Sequence, residues 1–143
     1  MKKLYDIYIP DNDRHFPLYL KKIGEMFGKH TYQQKQRDKS LSFVPNFGVA
    51  VDIGAHIGTW TIDLEKKFDK VICFEPLPLH LECLRKNIKD PNKVEIFEVG
   101  LGDITGKEVF IDYEEEGNTG TAAVLPRSLS TPFTGHKLKL ERL

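Results

Sequence analysis

The sequence predicts an α/β fold in which parallel strands alternate with helices. Two observations carry that expectation. Val49-Ala50-Val51 runs into Asp52, and Val71-Ile72-Cys73-Phe74 runs into Glu75, so two short apolar runs each end in an acid. Both have the length of strands buried within a sheet. Each is then followed by apolar residues at helical spacing: Ile57, Trp60, Leu64 and Phe68 after the first, Leu77, Leu81, Leu84 and Ile88 after the second. Strands that alternate with helical patterns in this way read as parallel strand–helix units.

The remaining elements follow along the chain. Residues 1–15 mix aromatic and polar side chains around Asp11-Asn12-Asp13 and read as an irregular or strand-like arm. Pro17 suits a helix start, Leu20, Ile23 and Phe27 share one face, and Gly28 stops it. From Thr31 to Phe43 the residues form a polar helix that leads into the first strand. A third strand, Val94 to Val99, runs into Gly100-Leu101-Gly102-Asp103. Two further strands are expected, Glu108 to Tyr113 and Lys137 to Leu140, joined through a flexible loop at Gly117-Asn118-Thr119-Gly120-Thr121. Residues 1–46 form an arm with helices and residues 47–143 the sheet, together one domain.

Composition narrows the class. Twenty-one basic and twenty-one acidic residues cancel, which leaves no general field to draw in nucleic acid. No apolar run approaches a membrane span, and Met1-Lys2-Lys3 leads into no apolar signal region. Cys73 on a strand and Cys83 on a helix read as core thiols of a reducing compartment, so a cytoplasmic protein is expected. The five histidines show no zinc spacing, so no metal is expected. Ser128 and Ser130 lack a nucleophile elbow, and the run Glu114-Glu115-Glu116 reads as a solvated turn.

The chemistry concentrates at the strand tips. Gly54 and Gly58 enclose Ala55, His56 and Ile57, a spacing that fails the dinucleotide fingerprint, and Gly106-Lys107-Glu108 fails the P-loop. Glycines let a ligand approach the backbone closely. A helix starting near Ile57 would aim its unpaired N–H groups at that ligand. Glu75 stands about 20 residues after the loop, where an acid accepts hydrogen bonds from both hydroxyls of a ribose.

Taken together, these segments resemble the FkbM family of class I S-adenosylmethionine-dependent methyltransferases. The resemblance rests on Asp52-Ile53-Gly54-Ala55-His56-Ile57-Gly58, Phe74-Glu75-Pro76 and Leu101-Gly102-Asp103-Ile104-Thr105-Gly106. It covers about residues 47–125, with His56 where that family usually has asparagine. It implies a Rossmann-like methyltransferase sheet, S-adenosyl-L-methionine as cofactor and O-methylation of a small-molecule acceptor such as a sugar. The site residues it implies are Asp52, Gly54, Ala55, His56 and Gly58 in the loop and Glu75 and Pro76 at the ribose. Leu101, Gly102 and Asp103 would stand near the adenine. Arg37, on the polar helix before the first strand, could pair with the methionine carboxylate of that cofactor.

The same resemblance implies further strands after Leu143, so the sheet reads as truncated after its third core strand, with an added β extension. An edge strand at Val49–Ile53 would then be exposed. The expectation is a homo-oligomer through Val49, Val51, Leu138 or Leu140, or a missing C-terminal half. A cofactor-binding module without methyl transfer and a structural protein on a decayed fold stand as the alternatives.

Overall fold

The structure, a computed structural model, describes residues 1–28, 31–113, 116–124 and 136–143. Glu114, Glu115, Ser128 and Ser130, which entered the sequence reading, lie outside the described residues. The fold is α/β with mixed sheets. The arm is a hairpin of β1 (Lys2–Leu4) and β2 (Ile7–Ile9). Tyr5 and Asp6 both take left-handed φ in its two-residue turn, the geometry that matches strand twist. Helices α1 (His15–Phe27) and α2 (Gln34–Leu41) follow, and Gly28 at φ 67° closes α1 as expected.

Strands β3 (Val49–Ile53), β4 (Lys70–Phe74) and β5 (Val94–Phe97) form a three-stranded parallel sheet in that order. The short helix α3 (Thr61–Leu64) and the longer α4 (Pro78–Asn87) connect them. One face of this sheet packs Ala50, Val71 and Cys73 against Leu64, Phe68, Leu81 and Leu84. A second core joins Ile9, Phe16 and Leu20 of the N-terminal region to Ile57 and Cys83. Asn87 ties these parts together, donating to Tyr8 O at 2.9 Å and Ile57 O at 2.8 Å and accepting from Tyr8 N at 2.7 Å. Cys73 and Cys83 are buried thiols outside any disulfide.

Three expectations need correction. The helix foreseen from Ile57 to Phe68 contracts to the single turn of α3, because the chain from Gly54 to Trp60 is held in turns. The strand foreseen from Val94 to Val99 breaks after Phe97. The next strand, β6 (Gly100–Leu101), instead joins a four-stranded sheet with β7 (Glu108–Tyr113), β8 (Ala122–Val124) and β9 (His136–Glu141), in the order β6-β9-β7-β8. Finally, the Gly117–Thr121 segment is not a loose loop. Its 3-10 turn at Thr119–Thr121 is anchored by Thr119, which is buried against Asp13.

Candidate functional site

A cavity of about 900 Å³ opens where the tips of β3 and β4 meet α1 and the Thr119–Thr121 turn. That volume lies within the range of sites for drug-sized ligands. Of the residues singled out from sequence, Asp52, Gly54, Ala55, His56, Glu75, Pro76 and Leu101 line it. Gly58, Gly102, Asp103 and Arg37 do not.

Each absence has a physical reason. Gly58 serves packing: at φ +84° its missing Cβ leaves room for Leu84, whose Cδ1 would lie 2.6 Å from such an atom. Gly102 makes room for Leu140 in the same way, at 2.5 Å. Asp103 is exposed and pairs with Lys107 at 3.7 Å. Arg37 is buried, ion-paired with Asp63, donating to Tyr32 O at 2.7 Å and to Thr31 Oγ1 at 3.3 Å. Its charge is therefore neutralised within the fold, away from any ligand carboxylate.

The glycine loop is clamped to β4. Gly54 N and Ala55 N both donate to Phe74 O, at 2.9 and 3.1 Å, and His56 N donates to Glu75 Oε2 at 2.9 Å. These three donors are spent on the protein, so the loop does not aim them into the cavity. Gly54, at φ +73°, has no heavy atom within 4 Å of where a Cβ would stand and leaves the cavity floor open there.

Glu75 is buried and satisfied on one side. Its Oε1 accepts from Leu77 N at 2.9 Å and from His80 Nδ1 at 3.2 Å, which leaves Oε2, already holding His56 N, with one further acceptor site. Glu75 therefore has room for one further hydrogen bond, not for the pair expected from sequence. Burial alone would raise this carboxyl, but His80 and the two backbone N–H groups outweigh it and hold it below its ordinary value. Asp52 goes the other way: burial raises it despite the hydrogen bond at 2.7 Å from Thr61 Oγ1.

His56 carries a polar chain that the sequence did not reveal. Its Nε2 lies 3.2 Å from Thr119 Oγ1, which itself donates to Asp13 Oδ2 at 2.6 Å. The threonine proton is committed to Asp13, so His56 Nε2 must donate to threonine and Nδ1 carries the lone pair. The ring also meets His80 edge-on, with centroids 4.0 Å apart. Burial first, and then the neighbouring His80, push the His56 imidazole down to about 4. Asp13 further caps α1 by accepting from Phe16 N at 2.7 Å. The only sequence signal for this chain was Asp13 three residues before a helical residue, a cap pattern that says nothing about a partner 106 positions away.

The far wall is aromatic. Phe16, Tyr19 and Tyr32 pack with ring centroids 5.1–6.3 Å apart, and Trp60 stands beside them with its Nε1 donating to Gln33 Oε1 at 3.0 Å. No lysine or arginine lines the cavity among the described residues; its charged groups are the carboxylates of Asp52 and Glu75. No group of three metal-binding side chains is found among those residues, and no helix there is long and apolar enough to cross a membrane. In comparison with known proteins, the chain matches no family model, no curated protein and no solved structure.

Proposed function

We propose that this cavity binds S-adenosyl-L-methionine and that the protein is a methyltransferase acting on a small molecule, on a Rossmann-like sheet whose first three strands are β3, β4 and β5. The observation that carries this reading is the pairing of two acids and an open glycine at adjacent parallel strand tips with a cavity free of lysine and arginine among the described residues. A dinucleotide or nucleoside triphosphate brings phosphates that call for cationic side chains or a helix N-terminus. No lysine or arginine lines this site among the described residues, and where α1 and α4 begin at it the N–H groups of His15, Phe16 and Leu77 are already bonded to Gly117 O, Asp13 and Glu75. The sulfonium, ammonium and ribose of S-adenosylmethionine suit the two carboxylates instead.

The residues present meet that ligand's ribose, base and amino group, while its carboxylate finds no lysine or arginine in the lining among the described residues. Glu75 Oε2 would accept from one ribose hydroxyl, Pro76, Leu77 and Leu101 would face the base, and Asp52 would stand toward the amino group. The bound cofactor supplies an electrophilic methyl carbon. The protein's part is to orient the acceptor in line with it and to keep water out. Trp60, the single tryptophan, lines the cavity and serves as a built-in reporter.

The test is calorimetry, with Trp60 fluorescence alongside, using S-adenosylmethionine, S-adenosylhomocysteine and NAD. Binding of the first two and not the third supports the reading; no binding of either at millimolar concentration by folded protein ends it. Binding without methyl transfer to any of a panel of alcohols, sugars and phenols would favour a cofactor-binding module.

A further inference from the structure

We propose that the aromatic end of the cavity, walled by Phe16, Tyr19, Tyr32 and Trp60, is the methyl-acceptor subsite and takes an uncharged or cationic aromatic alcohol or phenol, not an anion or a sugar. This rests on the methyltransferase reading and names its substrate class. From sequence alone, the substrate-binding half was expected to be missing from this chain. Yet residues of α1, of the turn before α2 and of the Thr119–Thr121 turn line the same cavity beside the glycine loop.

Three features define what fits there. Tyr32 is tilted to both Phe16 and Tyr19, which are themselves stacked, with centroids 5.1–6.3 Å apart. They offer faces and edges to a planar guest, and aromatic guests gain from that geometry beyond area burial. The electrostatics are one-signed: Asp52 and Glu75 supply negative charge, and ring faces attract cations. An anion entering this space would be desolvated beside like charge with no cationic side chain among the described residues to meet it.

The third feature is backbone strain. Gln33 and His56 are non-glycine residues in the left-handed region, at φ 49° and 53°, and both line the cavity. Such conformations persist where the surroundings enforce them and collect at ligand sites. Gln33 spends its carbonyl oxygen on Trp60 and keeps its amide donors, while burial keeps the Tyr32 hydroxyl protonated. The Gln33 amide and the two tyrosine hydroxyls can fix one guest hydroxyl, and the ring faces between them suit a planar aromatic guest better than a sugar. In a transfer, the acceptor O–H bond breaks with its proton passing to solvent water. The oxygen then forms a bond to the methyl carbon while the carbon–sulfur bond breaks and its electron pair returns to sulfur.

The test uses three probes of one shape and different charge, namely tyrosol, tyramine and 4-hydroxyphenylacetate, with glucose as the sugar. Each is titrated calorimetrically into the full chain, with and without saturating S-adenosylhomocysteine. Tyrosol and tyramine should bind at least tenfold more tightly than 4-hydroxyphenylacetate and glucose. Tyr19→Leu and Tyr32→Leu should each weaken them about fivefold or more, with S-adenosylhomocysteine affinity held within twofold as the sign of an intact fold. Equal binding of the anion, preferential binding of glucose, or no phenol binding at millimolar concentration would overturn the proposal. That phenol ranking without any S-adenosylhomocysteine binding would overturn methyl transfer and leave the aromatic subsite standing.

Discussion

His56 shows how one side chain ties stability to the site. Its imidazole is held neutral, down to about 4, by burial and by His80. An unfolded histidine titrates near 6.5. Above that pH both states are neutral and the group contributes no pH dependence. As pH falls from about 6.5 toward 4, the unfolded chain takes up a proton that the native state refuses, so stability is lost through that window and levels off below it. The loss amounts to about 3 kcal/mol at most. His56→Asn keeps a residue that tolerates left-handed φ but removes the proton site. Urea denaturation at pH 7 and pH 4.5 should show the wild type losing more stability between the two than the variant does. Arg37 makes the complementary case. Its guanidinium is buried on Asp63, so Arg37→Met should cost about 3 kcal/mol of stability by leaving that pair broken. Cofactor affinity in the folded fraction should be unchanged, which calorimetry below the melting temperature checks.

At the scale of elements, the two glycines of the loop have separate duties. A Cβ on Gly58 would suffer both φ +84° and the 2.6 Å approach of Leu84, whereas Gly54→Ala adds strain at φ +73° in open space. Gly58→Ala should therefore destabilise by about 2–3 kcal/mol and Gly54→Ala by about 1 kcal/mol. Ligand affinity should fall more for Gly54→Ala, because that position faces the cavity. Chemical denaturation and calorimetry on the two variants separate these effects. The contrast marks where sequence was informative. The runs that became β3 and β4, the spacing that became α4 and the stop of α1 at Gly28 are local patterns, readable because each residue's neighbours in sequence decide its fate. The contraction of α3 was not local: the loop is tied to Phe74 O and Glu75 across the sheet, and Gly58 at φ +84° breaks the helical path one residue after Ile57. Nor was the burial of Thr119, which depends on Asp13 far away in the chain, or the left-handed pair Tyr5-Asp6, since a tyrosine and no glycine stands in that turn. Glu75 was legible as a site residue, while its partner His80 and the Asp13–Thr119–His56 chain depend on contacts that only the folded chain makes.

Across the whole molecule, one face of the parallel sheet is uneven. Helices cover the side of Ala50, Val71 and Cys73, but the other side presents Val49 at 59% exposure, Val51 at 51% and Ile53 at 60%. Phe97 at 40% extends the same apolar surface from β5. Parallel sheets are ordinarily covered on both faces, and β3 is also an edge whose outer backbone groups have no strand beside them among the described residues. Leu138 and Leu140, expected from sequence at an intermolecular contact, are instead turned inward, where their methyl groups approach Gly100 and Leu140 also packs on Gly102. The self-association surface therefore narrows to β3 and its open face. Two copies related by a two-fold axis would pair β3 with β3 and bury Val49 and Val51 together, the simplest closed assembly. Light scattering at micromolar concentration should give the mass of a dimer, and Val49→Lys, which lies outside the cavity lining, should shift it to the monomer while ligand binding persists. A wild-type mass of one chain across that range would mean that the exposed valines of β3 are tolerated by solvent, and the dimer would be discarded.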